Sequence, residues 1–187
     1  KKKAKLFKPY FGLVQLDVTN PTQTYELITS FRPSIVIHTV ALSDPDVCER
    51  RKEDAEKINY LGTQHIVDAC SEVRARLDYI STVYVFDGQK GNYREEDITH
   101  PINWYGETKL RAEQAVATLM LFGIYRFDKL YGYNGIGKPN DAFSKIDNGK
   151  PFEVNNDQVR QPLLADDVAR ALQLIQEKSL SGIFHLA

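Results

Sequence analysis

Residues 77–81, Leu77-Asp78-Tyr79-Ile80-Ser81, and residues 103–110, Asn103-Trp104-Tyr105-Gly106-Glu107-Thr108-Lys109-Leu110, decide the fold. The first run is short and mostly apolar, reads as a strand, and delivers Thr82 at its carboxyl end. The second opens a helix expected over 103–121. Tyr105 and Lys109, four apart, then share one helix face about one turn from each other. An ammonium held there favours phenolate over phenol, drawing a group whose ordinary pKa is about 10 toward neutrality. A threonine hydroxyl from the neighbouring strand end hydrogen-bonds a substrate carbonyl oxygen while Tyr105 protonates it. The three side chains together describe a proton donor for carbonyl reduction. By spacing alone, Tyr105 and Lys109 also read as an ordinary surface pair.

Toward the N-terminus, Phe11-Gly12-Leu13-Val14-Gln15-Leu16-Asp17-Val18 reads as a strand, and Thr19 or Asn20 caps a helix over 22–31 with Pro21 in its first turn. Residues 34–39 contain Ile35-Val36-Ile37, a run suited to a parallel strand buried on both faces. Ser43-Asp44-Pro45-Asp46-Val47 reads as a turn, and a long helix follows from the charged residues 49–57 to about Val73. Beyond the central stretch come a strand over 124–127, a glycine-rich loop from 131, a helix over 142–148, a helix over 166–178 and a closing strand over 182–187. Alternating strands and helices with short connections predict an α/β fold with a Rossmann-type, doubly wound parallel sheet. The expected division is a partial dinucleotide-binding domain over 1–132. Part of a small C-terminal substrate lobe and the returning strand fall in 133–187.

At 187 residues with 42% hydrophobic content, the chain has the length of one domain and material for an ordinary core. Its 24 basic and 25 acidic residues are interspersed, and the net charge of -1 makes no long-range field for nucleic acid or an anionic membrane surface. No stretch approaches the roughly 18 apolar residues of a membrane span, so the cytoplasm is the expected compartment. Cys48 and Cys70, without clustered histidines, imply neither a disulfide framework nor a metal site.

Three blocks carry a family resemblance: Tyr79-Ile80-Ser81-Thr82-Val83-Tyr84-Val85-Phe86-Asp87-Gly88, then Tyr93-Arg94-Glu95-Glu96-Asp97, then Pro101-Ile102-Asn103 running into Trp104-Tyr105-Gly106-Glu107-Thr108-Lys109-Leu110. In this order and spacing they resemble the extended short-chain dehydrogenase/reductases. Within these the chain looks most like the dTDP-4-dehydrorhamnose reductases, which reduce a 4-keto sugar nucleotide with NAD(P)H. The resemblance implies NADP(H) or NAD(H) as cofactor, a nucleotide-sugar substrate, and catalytic roles for Thr82, Tyr105 and Lys109, and it leaves a homodimer open. It also implies adenine contacts at Asp17 and Val18, ribose and phosphate contacts at Thr39, Val40, Ala41 and Lys109, and a nicotinamide contact near Phe127. Substrate contacts fall at Ser43, Val83, Tyr84, Asn103 and Arg160.

Several of these residues have a second reading. Asp17 equally reads as a cap of the next helix, Arg160 as a surface arginine, and His38 as a packed strand residue. Val83 stands where the family usually carries an acidic side chain, and Lys129 replaces an aromatic, so substrate identity is open. No glycine-rich strand–turn–helix motif precedes Asp17, which leads to the expectation of an incomplete N-terminus and a short C-terminus. Two rival functions share the resemblance. One is a non-catalytic regulatory subunit like the methionine adenosyltransferase beta subunit, and the other is a sugar-nucleotide epimerase or dehydratase.

Overall fold

The computed structural model describes residue 12, residues 14–132 and residues 159–186. Helix α1, Pro21–Phe31, starts where the Asn20 side chain accepts from the Gln23 N–H, with proline in the first turn. It stops at Arg32, whose backbone turns left-handed at φ 48°. Strand β1, Ile35–His38, follows. Asp44 caps α2, Pro45–Arg50, so residues 43–47 contain a helix start instead of the expected turn: an aspartate before a proline supplies both cap and first residue. After a break at Arg51, α3, Lys52–Ala55, runs through a π-helical turn, Glu56–Leu61, into α4, Gly62–Val73.

Strand β2, Arg76–Ile80, leads to a 3-10 turn, Val83–Val85. Helix α5, Trp104–Val116, is capped by Asn103 and ends earlier than its expected limit at residue 121. Then come β3, Phe122–Arg126, β4, Lys129–Tyr131, β5, Pro162–Leu164, α6, Ala165–Glu177, and β6, Gly182–His185. The expected helix over 142–148 lies outside the described residues.

The main sheet has the order β1-β2-β3-β6, all parallel, and β4 pairs with β5 in a separate parallel pair that the sequence reading missed. One apolar cluster joins Ile28 of α1, Ile66 and Val67 of α4 and Val116 of α5 to Leu77, Tyr79 and Ile124 of the sheet. A second sets Val168 and Leu172 of α6 against Tyr125 and Phe127. Helices therefore cover both sheet faces, which is the Rossmann-like α/β arrangement.

Two expectations near the N-terminus are corrected. The described part of residues 11–18 forms no strand, because Gln23 takes its backbone: the Asp17 N–H donates to Gln23 Oε1 at 3.1 Å, and Gln23 Nε2 donates to the Gln15 carbonyl at 3.0 Å. Strand β1 is not buried on both faces, for Ile35 is 39% and Ile37 52% exposed. Among the described residues β1 pairs only with β2, so it is an edge. No described helix is long and apolar enough to cross a membrane.

Candidate active site

The carboxyl end of β2 and the first turn of α5 meet in a buried corner. Thr82 is 3% and Tyr105 8% exposed, and the Thr82 hydroxyl is close enough to the Tyr105 phenol to favour its ionised form. Thr82 also accepts from the Tyr84 N–H at 3.2 Å, which fixes it as the cap of the 3-10 turn. The close approach depends on Gly106: a Cβ there would lie 2.1 Å from the Tyr84 carbonyl oxygen. A glycine inside a helix start, where alanine is the better helix former, was the available signal of that contact.

Burial pushes the Tyr105 phenol up to about 12, and the Thr82 hydroxyl offsets this only in part. The expected acidification by Lys109 is not present. The Lys109 amine donates instead to the Ile80 carbonyl at 2.5 Å and lies 3.9 Å from the centre of the Tyr79 ring. Burial pulls the amine down to about 7, against the pull of Glu113. Spacing brought both groups to one corner, but burial of the phenol outweighs any help from the amine. The ring of Tyr84 meets Tyr105 edge-on at 5.7 Å.

Beside Tyr79 stands His38, 3% exposed, as the packed strand reading has it. Its Nε2 is 2.9 Å from the Thr63 hydroxyl, and burial holds the imidazole down to about 3, so it stays neutral. Beyond it, Thr39 and Val40 are exposed and Ala41 half-buried at the carboxyl end of β1. This is the sheet edge at which open parallel folds bind ligands.

The remaining predicted positions are dispersed. Asp17 accepts from the Thr19 N–H at 3.0 Å and the Thr19 hydroxyl at 2.7 Å, bonds that lower its pKa, and it caps no helix, Asn20 taking that place. Val18 is packed on α4, where a Cβ on Gly62 would meet its Cγ2 at 2.9 Å, and its carbonyl bonds His65 at 3.0 Å. The Phe127 ring sits in the apolar cluster with α6, so only its backbone, which accepts from the Val83 N–H at 3.3 Å, turns to the Thr82 side.

On the substrate side, Ser43 and Val83 are exposed, and Asn103 holds the Gly106 N–H at 2.8 Å as the cap of α5. Arg160 pairs with Asp128 at 2.8 Å and donates to the Tyr84 hydroxyl at 2.8 Å. Arg160 therefore joins the corner through Tyr84 instead of standing alone on the surface. Residues 93–97 are anchored to the last strand: Glu95 Oε1 accepts from the His185 N–H at 2.8 Å.

The family described as RmlD substrate binding domain matches residues 3–187. A dTDP-4-dehydrorhamnose reductase from Aggregatibacter actinomycetemcomitans is 32% identical over 170 residues, 90% of this chain and 58% of that protein. The methionine adenosyltransferase 2 subunit beta of Xenopus laevis is 34% identical over 182 residues, 91% of this chain and 54% of that one. A crystal structure of dTDP-4-dehydrorhamnose reductase from Bacillus anthracis in complex with NADP superposes with a TM-score of 0.84 at 34% identity, covering 92% of this chain and 62% of that one. The chain thus spans less than two thirds of each of these relatives.

Proposed function

From the premise that the chain belongs to the RmlD substrate-binding-domain family, we propose that it carries the proton-transfer corner of an NAD(P)H-dependent reductase acting on a 4-keto nucleotide sugar. The single observation that carries this reading is the buried Thr82–Tyr105 hydroxyl pair with the Lys109 amine behind it. A phenol held at about 12 keeps its proton at neutral pH, so Tyr105 acts as the acid that protonates the nascent alkoxide. Thr82 orients the carbonyl oxygen, and Lys109, tied to the Ile80 carbonyl, is placed to bond the ribose of a dinucleotide and to replace the proton Tyr105 gives up.

The residues fit such a cofactor. Thr39, Val40 and Ala41 offer small or open positions at the carboxyl end of β1, next to the corner. When bound there, the dinucleotide supplies the hydride. Asp17 and Val18 would border its adenine and Phe127 its nicotinamide through the backbone, while Ser43, Val83, Tyr84, Asn103 and Arg160 would face the sugar nucleotide. Arg160 starts the segment that leads into β5, which we assign to the substrate lobe. Absence of a spanning helix among the described residues supports action in the cytoplasm.

The test is oxidation of NADPH with dTDP-4-keto-rhamnose. Tyr105→Phe is expected to lower kcat/KM by about 100-fold or more, the usual contribution of a positioned acid. Full activity in that variant removes the assignment. A second reading, a regulatory subunit without turnover, is favoured by the 34% identity to the methionine adenosyltransferase subunit and by Val83 and Lys129 in the substrate positions. Capture of a methionine adenosyltransferase catalytic chain together with no NADPH oxidation would decide for it.

A further inference from the structure

Arg160, in the segment that leads into β5, reaches two other parts of the fold with one guanidinium. Its Nη1 pairs with Asp128 Oδ1 at 2.8 Å, and its Nη2 donates to the Tyr84 hydroxyl at 2.8 Å. Asp128, at the crossing from β3 to β4, keeps only 6% of its side chain in water, and its second oxygen accepts from the Gln161 N–H at 3.0 Å. The same carboxylate therefore fixes Arg160 by its side chain and Gln161 by its backbone, just before Pro162 pairs with Lys129 in the β4–β5 register. Tyr84 is fixed from below as well. Its N–H donates to Thr82 Oγ1 at 3.2 Å, and the neighbouring Val83 N–H donates to the Phe127 carbonyl at 3.3 Å. These bonds close a triangle between the 3-10 turn, the 127–128 crossing and residues 160–161.

The triangle has a consequence for one proton. A phenol carries its hydrogen in the plane of the ring, to one side of the oxygen, and accepts chiefly on the other. A guanidinium has five donors and no acceptor, so Arg160 takes the accepting side of the Tyr84 oxygen. The O–H is thereby turned away from Arg160, and among the described residues none accepts from it. A bond received from a charged donor also polarises the O–H and makes it the stronger donor. Tyr84 stands edge-on to Tyr105 at 5.7 Å between ring centres, beside the proton-transfer corner.

We infer that Arg160, held by Asp128, is a positioning residue that sets Tyr84 as a one-way hydrogen-bond donor to the substrate, selecting a sugar that presents an acceptor oxygen beside the carbonyl that is reduced. Arg160 acts on the sugar through Tyr84. The inference rests on the reading of Tyr84 as a substrate contact of the proposed reductase, and it leaves the proton transfer with Tyr105 and Thr82.

The experiment is steady-state oxidation of NADPH with dTDP-4-keto-rhamnose by the parent chain, Tyr84→Phe, Arg160→Met and the double variant. Tyr84→Phe keeps the ring against Tyr105 and removes only the hydroxyl, so KM is expected to rise about tenfold, the scale of one hydrogen bond, at unchanged kcat. Arg160→Met is expected to raise KM by up to the same factor. In the double variant the rise should equal that of Tyr84→Phe alone, because no hydroxyl is left for the arginine to direct. Arg160→Lys keeps a charge opposite Asp128 but has no fork to span both partners, and it takes its place in the same cycle should Arg160→Met not fold.

A general loosening of residues 160–164 gives another pattern: the two rises in KM multiply in the double variant, or kcat falls as the packing on Tyr105 is disturbed. Either result, or a parental KM in either single variant, overturns the inference. A parent that oxidises no NADPH counts against the reductase reading, and the NMR signal of Tyr84 Cζ, assigned by its loss in Tyr84→Phe, then decides the arrangement. A signal displaced in Arg160→Met upholds the bond from the arginine, and a signal that does not move removes it.

Discussion

Strands β1 and β2 lie side by side in one parallel sheet, and their compositions are the reverse of their burial. Ile35-Val36-Ile37 make β1 the more apolar of the two, yet two of the three are exposed. Strand β2 reads Arg76-Leu77-Asp78-Tyr79-Ile80, and its two charged residues are buried, Arg76 at 7% and Asp78 at 0% exposure. What decides burial is the number of neighbours. Strand β2 has partners on both sides and helices on both faces, whereas β1, among the described residues, has β2 alone. The charges in β2 are tolerated because they are paired and fully bonded. Arg76 Nε meets Asp78 Oδ1 at 2.8 Å, Arg76 Nη1 donates to the Leu180 carbonyl at 2.7 Å, and Tyr125 and Gln176 complete the Asp78 carboxylate.

The sharpest way to break this contrast is to remove one member of the buried pair. Asp78→Ala leaves the Arg76 guanidinium without its counter-charge, and a loss of about 3–5 kcal/mol is expected in urea unfolding. Replacing both, Arg76→Met with Asp78→Leu, should restore most of that loss, because an apolar pair suits a strand enclosed on both faces. A single variant as stable as the parent would mean that neighbours do not hold β2 closed.

A middle-sized effect is expected at Lys109, another buried charge, whose amine lies on the Tyr79 ring of the same strand. Below about 7 the folded and unfolded chains both carry its proton. Between about 7 and the ordinary 10.5 only the unfolded chain does, so this group makes stability rise with pH across that window. Lys109→Met lacks the effect. The melting temperature of the parent minus that of Lys109→Met should therefore increase from about pH 6 to about pH 9. A difference that stays flat would show the amine to be more hydrated than its burial implies.

Much of this arrangement was legible in residue order, and the failures share a cause. The Tyr105 and Lys109 helix, its Asn103 start and the alternation of strands and helices follow from local chemistry: spacing, caps and apolar runs. What residue order does not contain is who the neighbours are. It therefore gave β1 two covered faces, made residues 11–18 a strand although Gln23 claims that backbone, and let Lys109 acidify a phenol that burial instead pushes up. The π turn over Glu56–Leu61 was missed for a related reason: it leaves no mark in helical periodicity, and Leu42, whose N–H donates to the Asn59 amide oxygen inside it, is 17 residues away. Asp44-Pro45 was a different kind of miss, since its cap chemistry was present and read as a turn.

The smallest effect is expected at the open edge, where Ile37→Thr tests the other half of the contrast. Ile37 keeps 52% of its surface in water, so truncating and hydroxylating it removes little burial, and a cost of about 1 kcal/mol or less is expected. Threonine also keeps the β-branched shape that suits a strand. An edge strand with apolar side chains is a template for pairing with another chain, so the same change should reduce concentration-dependent association in sedimentation experiments. The two readouts bear on different parts of the claim. A cost near that of Asp78→Ala would show that β1 is enclosed in solution by something pressing on Ile37. A small cost with unchanged association would show that the edge is open but already protected, by its short length or by the polar residues that flank it.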